Sequence, residues 1–218
     1  MKKIIIPILI IALLGIAGTL VLKGQFKKEK ITPKGEIKMP DVKGKKAVMI
    51  IAFRDFRDVE YFVPKEILEK SGVEVKTASN KLGTAIGADG GDTSVDFIVS
   101  QVNVVDFDAI IFVGGPGCLD ALDNEDSYRV AKEAVSQNKV LAAICISPVI
   151  LAKAGVLEGK KATCWTDPLG SQVKILKEKG AIFEKKSVVV DGKIITANGP
   201  GAAEEFGKAI VEVLTKEK

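Results

Sequence analysis

A cysteine stands at the end of an apolar run in the 218-residue chain. Cys145 follows residues 140–144 (VLAAI), which have the composition of a buried strand, and Pro148 comes shortly afterwards, where a first-turn helix proline is expected. On such a turn the sulfur meets backbone N–H groups, and the helix dipole favours the thiolate. The pattern predicts a nucleophile with a pKa below the free-thiol value of about 8.5. The alternative is a buried cysteine that acts as a small apolar residue.

A glycine-rich turn follows a second apolar run. Residues 108–113 (DAIIFV) lead directly into residues 114–117 (GGPG). Such a turn can free backbone N–H groups to approach an oxyanion, but it is equally typical of a tight turn with positive φ and no chemical role. Because ligands of open α/β sheets sit beyond the carboxyl ends of the strands, we expect this turn and Cys145 to open onto the same edge.

Histidine is absent from the whole sequence. This absence excludes Ser-His-Asp triads, Cys-His dyads and the usual zinc sites. The other two cysteines, Cys118 and Cys164, are too scattered for a disulfide framework and form no Cys-x-x-Cys pair, so we interpret both as structural. The sequence predicts neither a metal nor an organic cofactor.

The elements around these residues alternate between strands and helices. Short apolar runs predict strands, and apolar residues at helical spacing predict helices. The predicted elements are strands at residues 46–53, 73–78, 108–113 and 140–144, helices at residues 59–70, 125–137 and 202–214, and a hairpin with an Asp-Gly turn at residues 187–197. This alternation predicts an α/β domain with a parallel sheet.

The first 22 residues are almost continuously apolar. Residues 4–22 carry no charge, and at about 1.5 Å per residue a helix of this length nearly spans a hydrocarbon core of about 30 Å. We interpret residues 1–22 as a transmembrane signal-anchor helix, residues 23–44 as a polar linker and residues 45–218 as one globular domain. A cleaved secretory signal is the alternative.

The expected location is therefore a membrane, reached through a single N-terminal span. Lysines after the span outnumber those before it, which favours a cytoplasmic body, while export after signal cleavage is the alternative. The first 43 residues carry nine lysines and three acidic residues, a charge of +6, and the rest of the chain is nearly neutral at −2, which gives the formal net charge of +4. Nucleic acid is therefore not an expected partner.

Four stretches of the sequence, in this order, resemble the ThiJ/PfpI family. They are RDVEYFVPKEILEKSGVEV, IIFVGGPG, AAICISPVILAKAGVLEGKKAT and GKIITANGPGAAEEFGKAIVEVL. The resemblance covers residues 46–214 and implies the three-layer α/β sandwich of class I glutamine amidotransferases, with a central mainly parallel sheet. In this chain the predicted transmembrane helix would precede that fold. The resemblance also implies a homodimer or a higher homo-oligomer.

The same resemblance implies a site. Cys145 matches the family's elbow cysteine, and Glu60 matches a glutamate whose carboxyl approaches that sulfur. A carboxyl in this position is expected to be protonated and to donate a hydrogen bond to the thiolate, because two adjacent anions repel each other. Gly115 and Ile146 match backbone positions of the family's oxyanion site.

The chain departs from the peptidases of the family. Ile146 stands where they have a histidine, and a further family histidine, near residues 163–166, is also missing. The resemblance therefore favours a glyoxalase or deglycase that acts on small reactive carbonyls through Cys145 and Glu60. One alternative is a non-catalytic redox sensor or chaperone that uses the same cysteine. Another is a cysteine peptidase or amidase, which the absence of histidine disfavours.

Overall fold

A seven-stranded sheet lies at the centre of the computed structural model, which describes residues 42–216. The strands of this part are β1 (Lys46–Ile51), β2 (Arg54–Phe56), β3 (Glu74–Ser79), β4 (Gly83–Gly87), β5 (Asp92–Val95), β6 (Phe97–Ile98), β7 (Ala109–Phe112), β8 (Val140–Ile144), β9 (Lys161–Ala162), β10 (Ile182–Phe183), β11 (Val188–Asp191) and β12 (Ile194–Ala197). The helices are α1 (Asp58–Lys70), α2 (Cys118–Leu122), α3 (Glu125–Ser136), α4 (Pro148–Lys153), α5 (Ser171–Glu178) and α6 (Ala203–Thr215), with 3-10 turns at Val99–Gln101, Val104–Asp106 and Pro200–Ala202.

The central sheet is parallel except at one edge. Its strand order is β11, β12, β8, β7, β1, β3 and β6, and β11 alone pairs antiparallel, with β12. The central strands β7 and β8 are buried at every residue, because helices cover both faces of a parallel sheet. The predicted α/β fold with a mainly parallel central sheet is confirmed.

Two apolar cores lie on opposite faces of this sheet. Alternate residues of β1 enter different cores, as the period of a strand requires: Val48 and Ile50 enter one, and Met49 and Ile51 enter the other. Side chains of α3, α4 and α5 line the first core, and those of α1 and α6 line the second. The sheet is therefore held between two layers of helices, with its strand ends free to carry loops.

The helix α1 packs directly against α6. A Cβ atom at Gly207 would lie 3.0 Å from the Cα of Pro64 and 3.0 Å from the Cδ1 of Ile67, which is tighter than ordinary packing. The absence of a side chain at position 207 thus sets the distance between the two helices. This contact fixes the position of α1, whose first turn carries Glu60.

A second, three-stranded sheet flanks the start of α1. Its strand β4 pairs parallel with β2 and antiparallel with β5. The β4–β5 loop is fastened to the helix, because the carboxylate of Asp58 accepts hydrogen bonds from the backbone N–H of Asp89 (2.8 Å) and of Gly91 (2.6 Å). The sequence patterns gave no indication of this sheet.

The structure corrects the expected membrane localisation. Across residues 42–216 no helix is long and apolar enough to cross a membrane. The longest, α1 and α6, have 13 residues each. At about 1.5 Å per residue they reach about 20 Å, against a hydrocarbon core of about 30 Å. The span predicted for residues 1–22 lies outside the described residues, as does the predicted linker up to residue 41.

Candidate active site

Cys145 lies at the carboxyl end of β8, in the turn that leads into α4. Its φ of 67° falls in the left-handed region, which residues with a side chain adopt rarely. The turn is held from both sides, because the Cys145 N–H donates to the carbonyl of Ala197 (2.8 Å) and its own carbonyl accepts from the N–H of Trp165 (2.7 Å). Cys145 lines a pocket with 8% of its surface exposed.

The buried hydroxyl of Ser147 holds the turn by hydrogen bonds to two strand ends. Ser147 Oγ accepts a hydrogen bond from the N–H of Ile144 (3.0 Å) and has the carbonyls of Phe112 (2.9 Å) and Ile144 (2.8 Å) within donating distance. It therefore ties the end of β8 to the end of β7. The sequence analysis missed Ser147, although a hydroxyl directly before a first-turn proline is a position where such side chains bond to the backbone.

Glu60 projects from the first turn of α1 and is fully buried. No group of the described residues reaches either carboxyl oxygen at standard hydrogen-bond geometry. Burial raises the pKa of Glu60 to about 7, against the smaller lowering effects of the Cys145 thiol, the charge of Arg57 and the N–H of Gly114. The carboxyl is therefore largely protonated below neutral pH.

The structure changes the expected titration of Cys145. Burial, followed by the charge of Glu60 and the contact with its carboxyl, raises the pKa of the thiol, while the N–H groups of Ile146 and Gly115 lower it. The helix α4 has only six residues, so its dipole offsets little of this burial. The prediction of a pKa below that of a free thiol is wrong for Cys145 taken alone.

Glu60 and Cys145 instead titrate as a pair. Two ionisable groups that interact this strongly lose their protons in two steps that belong to both of them. The first proton leaves at about pH 7, and the second leaves at far higher pH because two buried anions repel each other. Between these steps the pair holds one proton and one negative charge.

Gly114 leaves room for the contact between the two groups. A Cβ atom at this position would lie 2.6 Å from the Cβ of Cys145 and 2.8 Å from Oε2 of Glu60. Any side chain here would have to displace one of them. Gly115 is equally constrained, because its φ is 120° and a Cβ atom there would collide with the backbone of Asp55 and Arg57. The glycine-rich turn thus has a steric role beside the one proposed for its N–H groups.

The pocket above Cys145 has a volume of about 320 Å³ and is open to solvent. Residues from five connecting segments form its wall. The lining residues are Arg57, Gly115, Pro116, Cys145, Ile146, Trp165 and Pro200. Three residues predicted for the site, Cys145, Gly115 and Ile146, line this pocket, and Glu60 lies beside Cys145 without being part of the lining. Their catalytic roles remain predictions.

Cys118 and Cys164 lie in the core, as expected of structural cysteines. Burial raises the pKa of Cys164 to about 12 and the pKa of Cys118 well above that of a free thiol. Because Cys145 lines the open pocket and Cys118 and Cys164 do not, we expect iodoacetamide at pH 7.5 to add once to the native chain, at Cys145, and three times to the unfolded chain, as read by intact-mass and peptide analysis. Earlier modification of Cys118 or Cys164 would assign the reactive thiol elsewhere.

A metal site is not evident in the described part of the chain. Within residues 42–216 no group of three or more cysteine or carboxylate side chains lies together as metal ligands would. The chemistry offered there is that of a thiol, a buried carboxyl and backbone N–H groups. Fold and site together define an α/β protein with a cysteine on a strand-to-helix turn beside a buried carboxyl.

Comparison with known proteins agrees with this class. The model of the DJ-1/PfpI family matches residues 45–213, and the chain belongs to this family, which confirms the resemblance found in the sequence. An uncharacterised protein of Methanocaldococcus jannaschii is 41% identical over 180 residues, which are 82% of this chain and 87% of that protein. The deglycase PfpI of Pyrococcus furiosus is 30% identical over 167 residues, 77% of this chain and 98% of the relative.

A solved structure supports the same assignment. The ThiJ/PfpI domain protein from Brachyspira murdochii superposes with a TM-score of 0.76 at 36% identity, over 80% of this chain and 100% of that one. The family model, which matches residues 45–213, takes in the central sheet and the Cys145 turn. The family fold therefore accounts for the described chain from β1 into α6.

Proposed function

We propose that the chain is a cysteine-dependent enzyme of the glyoxalase or deglycase type, with Cys145 as the nucleophile and Glu60 as the group that moves protons. The observation that carries this proposal is the Glu60 carboxyl, which is buried without a conventional partner and interacts directly with Cys145, in a space that Gly114 leaves open. Burial of an unpaired carboxyl is costly, and such cost concentrates at functional sites. The names of two relatives, a deglycase and a glutathione-independent glyoxalase, support the class of reaction.

The first step is addition of sulfur to an aldehyde. In the reactive form the shared proton lies on Glu60 and the charge lies on the Cys145 sulfur. The thiolate attacks the aldehyde carbon of a 2-oxoaldehyde, a C–S bond forms, and the new alkoxide takes the proton of Glu60. The N–H groups of Gly115 and Ile146 act on the sulfur in the resting site and would stabilise the developing oxyanion.

The remaining steps move one hydrogen and consume one water. The Glu60 carboxylate removes the hydrogen of the former aldehyde carbon as a proton, an enediol forms, and reprotonation at the neighbouring carbon gives a thioester of a 2-hydroxy acid. Water then cleaves the thioester, which releases the acid and restores the Cys145 thiol. One methylglyoxal and one water thus give one lactate, with no oxidant or reductant.

Amide hydrolysis needs a proton donor for the leaving group in addition to the groups that aldehyde addition uses. A departing amine must be protonated as it leaves, and peptidases of this type use an imidazole for that purpose. The chain contains no histidine, so Glu60 would have to serve both the sulfur and the leaving group from one side. We therefore expect negligible cleavage of peptide substrates.

Lactate formation from methylglyoxal tests the proposal. We expect the full-length chain to form lactate, measured by NMR, and Cys145→Ser to form no more than the uncatalysed background. A Cys118→Ser variant is the control, because it removes a buried thiol outside the pocket. Equal lactate yields from wild type and Cys145→Ser would reject the enzyme.

The contact between the Glu60 carboxyl and the Cys145 sulfur also supports a second candidate function, that of a redox sensor. A carboxyl beside the sulfur could donate a hydrogen bond to Cys145 once it is oxidised to a sulfinate. Peroxide titration with mass analysis separates the two functions. A stable sulfinate on Cys145 in a chain that forms no lactate would favour the sensor.

A further inference from the structure

Arg57 is the one charged side chain among the residues that line the Cys145 pocket within residues 42–216. It directly precedes α1, and its backbone N–H donates to the carbonyl of Gly114 (3.0 Å), which fixes the residue beside the glycine-rich turn. The guanidinium is partly open to solvent, with 31% of the side chain exposed. A cation therefore stands at the edge of a pocket whose other side chains are apolar or the thiol itself.

The guanidinium has hydrogen-bond donors that no described residue uses. Its Nη1 donates to Oδ1 (3.0 Å) and Oδ2 (3.2 Å) of Asp89, and the side chain makes no other hydrogen bond within residues 42–216. Arginine carries five N–H donors in a planar fork that matches a carboxylate. The Asp89 carboxylate thus shows that the guanidinium binds an anion. Because only Nη1 is used, the donors on Nη2 and Nε are available to a second anionic group.

A structural role alone does not account for this ion pair. Asp89 is more than half exposed, and exposed pairs of this kind contribute little to stability. The β4–β5 loop that carries Asp89 is already fastened to α1 by the backbone N–H groups of Asp89 and Gly91 on Asp58. The Arg57–Asp89 contact is therefore free to open without releasing the loop.

We propose that Arg57 determines specificity for substrates that carry an anionic group, and that the pocket takes 2-oxoaldehydes joined through a short apolar arm to a carboxylate. Pro116, Ile146, Trp165 and Pro200 supply apolar walls for the arm, and Cys145 supplies the reacting sulfur. The reaction part of this inference rests on the proposed function. The anion-recognition part rests on the pocket alone.

Turnover of a matched pair of substrates tests the reaction part. The anionic probe is 4,5-dioxopentanoate, which gives 2-hydroxyglutarate, and the neutral probe of similar length is 2-oxohexanal, which gives 2-hydroxyhexanoate. At pH 8.5 we expect kcat/KM to favour the anionic probe by about tenfold, as one charge-assisted contact provides. We expect the preference to vanish in Arg57→Gln, to rise in Asp89→Asn, and to shrink between 0.05 and 0.5 M salt as screening increases.

Arg54→Gln is the matched control. Arg54 lies in β2, carries the same charge and sits over the ring of Phe53, outside the lining of the Cys145 pocket. Its removal lowers the net charge as much as Arg57→Gln does. The substrate preference should stay within twofold of wild type in this variant, and an equal loss in both variants would assign the preference to overall charge and overturn the proposal.

Alkylation of Cys145 tests anion recognition without any turnover. Iodoacetate is anionic and iodoacetamide is neutral, and both attach to the same sulfur. We expect the rate with iodoacetate, divided by the rate with iodoacetamide, to fall about tenfold in Arg57→Gln. The same ratio should rise in Asp89→Asn and stay unchanged in Arg54→Gln. If this ratio responds but no variant forms a hydroxy acid, the proposed enzyme fails and anion recognition stands. If methylglyoxal is converted to lactate, but Arg57→Gln changes neither the substrate preference in kcat/KM nor the alkylation ratio, the specificity proposal fails and the enzyme stands.

Discussion

Gly114→Ala is expected to lower Cys145-dependent lactate formation by at least about 100-fold, as a displacement of about 1 Å at a reacting group can do. The added methyl group would lie 2.6 Å from the Cβ of Cys145 and 2.8 Å from Oε2 of Glu60, so the sulfur and the carboxyl must separate. Initial rates of lactate formation measure the effect. The rate of Cys145 alkylation should change as well, because Glu60 no longer shares its proton with the sulfur.

Gly201→Ala is the control for this prediction. Gly201 follows Pro200 of the pocket wall, and a Cβ atom there would meet nothing within 4 Å. We expect this variant to keep wild-type activity. The steric account of Gly114 is rejected if Gly114→Ala, shown to be folded by circular dichroism, retains more than about a tenth of wild-type turnover.

Glu60→Gln is expected to lower lactate formation by about 10²- to 10⁴-fold, the usual contribution of a general acid and base. Glutamine fills the same space but can neither give a proton to the alkoxide nor remove one from carbon. The wild-type rate should rise with pH through about pH 7, where the Glu60–Cys145 pair loses its first proton, and then level off. Loss of this inflection in Glu60→Gln, with residual Cys145 alkylation, would identify Glu60 as the titrating partner.

The same variant should change how stability depends on pH. The pKa of Glu60 is about 7 in the folded chain against 4.5 for an unperturbed glutamate, so the folded state holds a proton that the unfolded state has lost between these values. Stability therefore falls as pH rises from about 4.5 to about 7, by an amount on the order of 3 kcal/mol. Below that window both states are protonated, and the cost is absent.

Urea unfolding between pH 4 and pH 8 measures this slope. We expect wild type to lose stability across the window relative to Glu60→Gln, and Glu66→Gln to follow wild type. Glu66 is an exposed glutamate of the same helix, so its removal changes charge without changing the site. Parallel curves for wild type and Glu60→Gln would show that the buried carboxyl is ionised at no cost.

The sheet and the Cys145 turn were accessible from the sequence because their signals are local. Continuous apolar runs mark β1, β7 and β8, and a cysteine between such a run and Pro148 marks the turn. Glu60 carries no such signal, because one glutamate on an amphipathic helix resembles any other. Only the resemblance to a family predicted its place beside the sulfur.

The features that escaped prediction depend on residues far apart in the chain. The burial that raises the pKa of Cys145 comes from strands and helices on both sides of it in sequence, so the turn alone gave the wrong direction. The β4–β5 hairpin is polar and rich in glycine, without the alternation that predicts a strand. Arg57 and Asp89 meet only because that hairpin folds back onto α1.

The hydrogen bond from Cys145 to Ala197 bears on how the chain is made. Ribosomes deliver residues in order, so Cys145 emerges about fifty positions before β12, the strand that holds the Cys145 backbone and leads to Pro200 of the pocket wall. During that interval the nascent chain carries a cysteine without its burial, and with an ordinary thiol's reactivity. Maturation of the thiol is thus a late event of biosynthesis, completed when β12 docks.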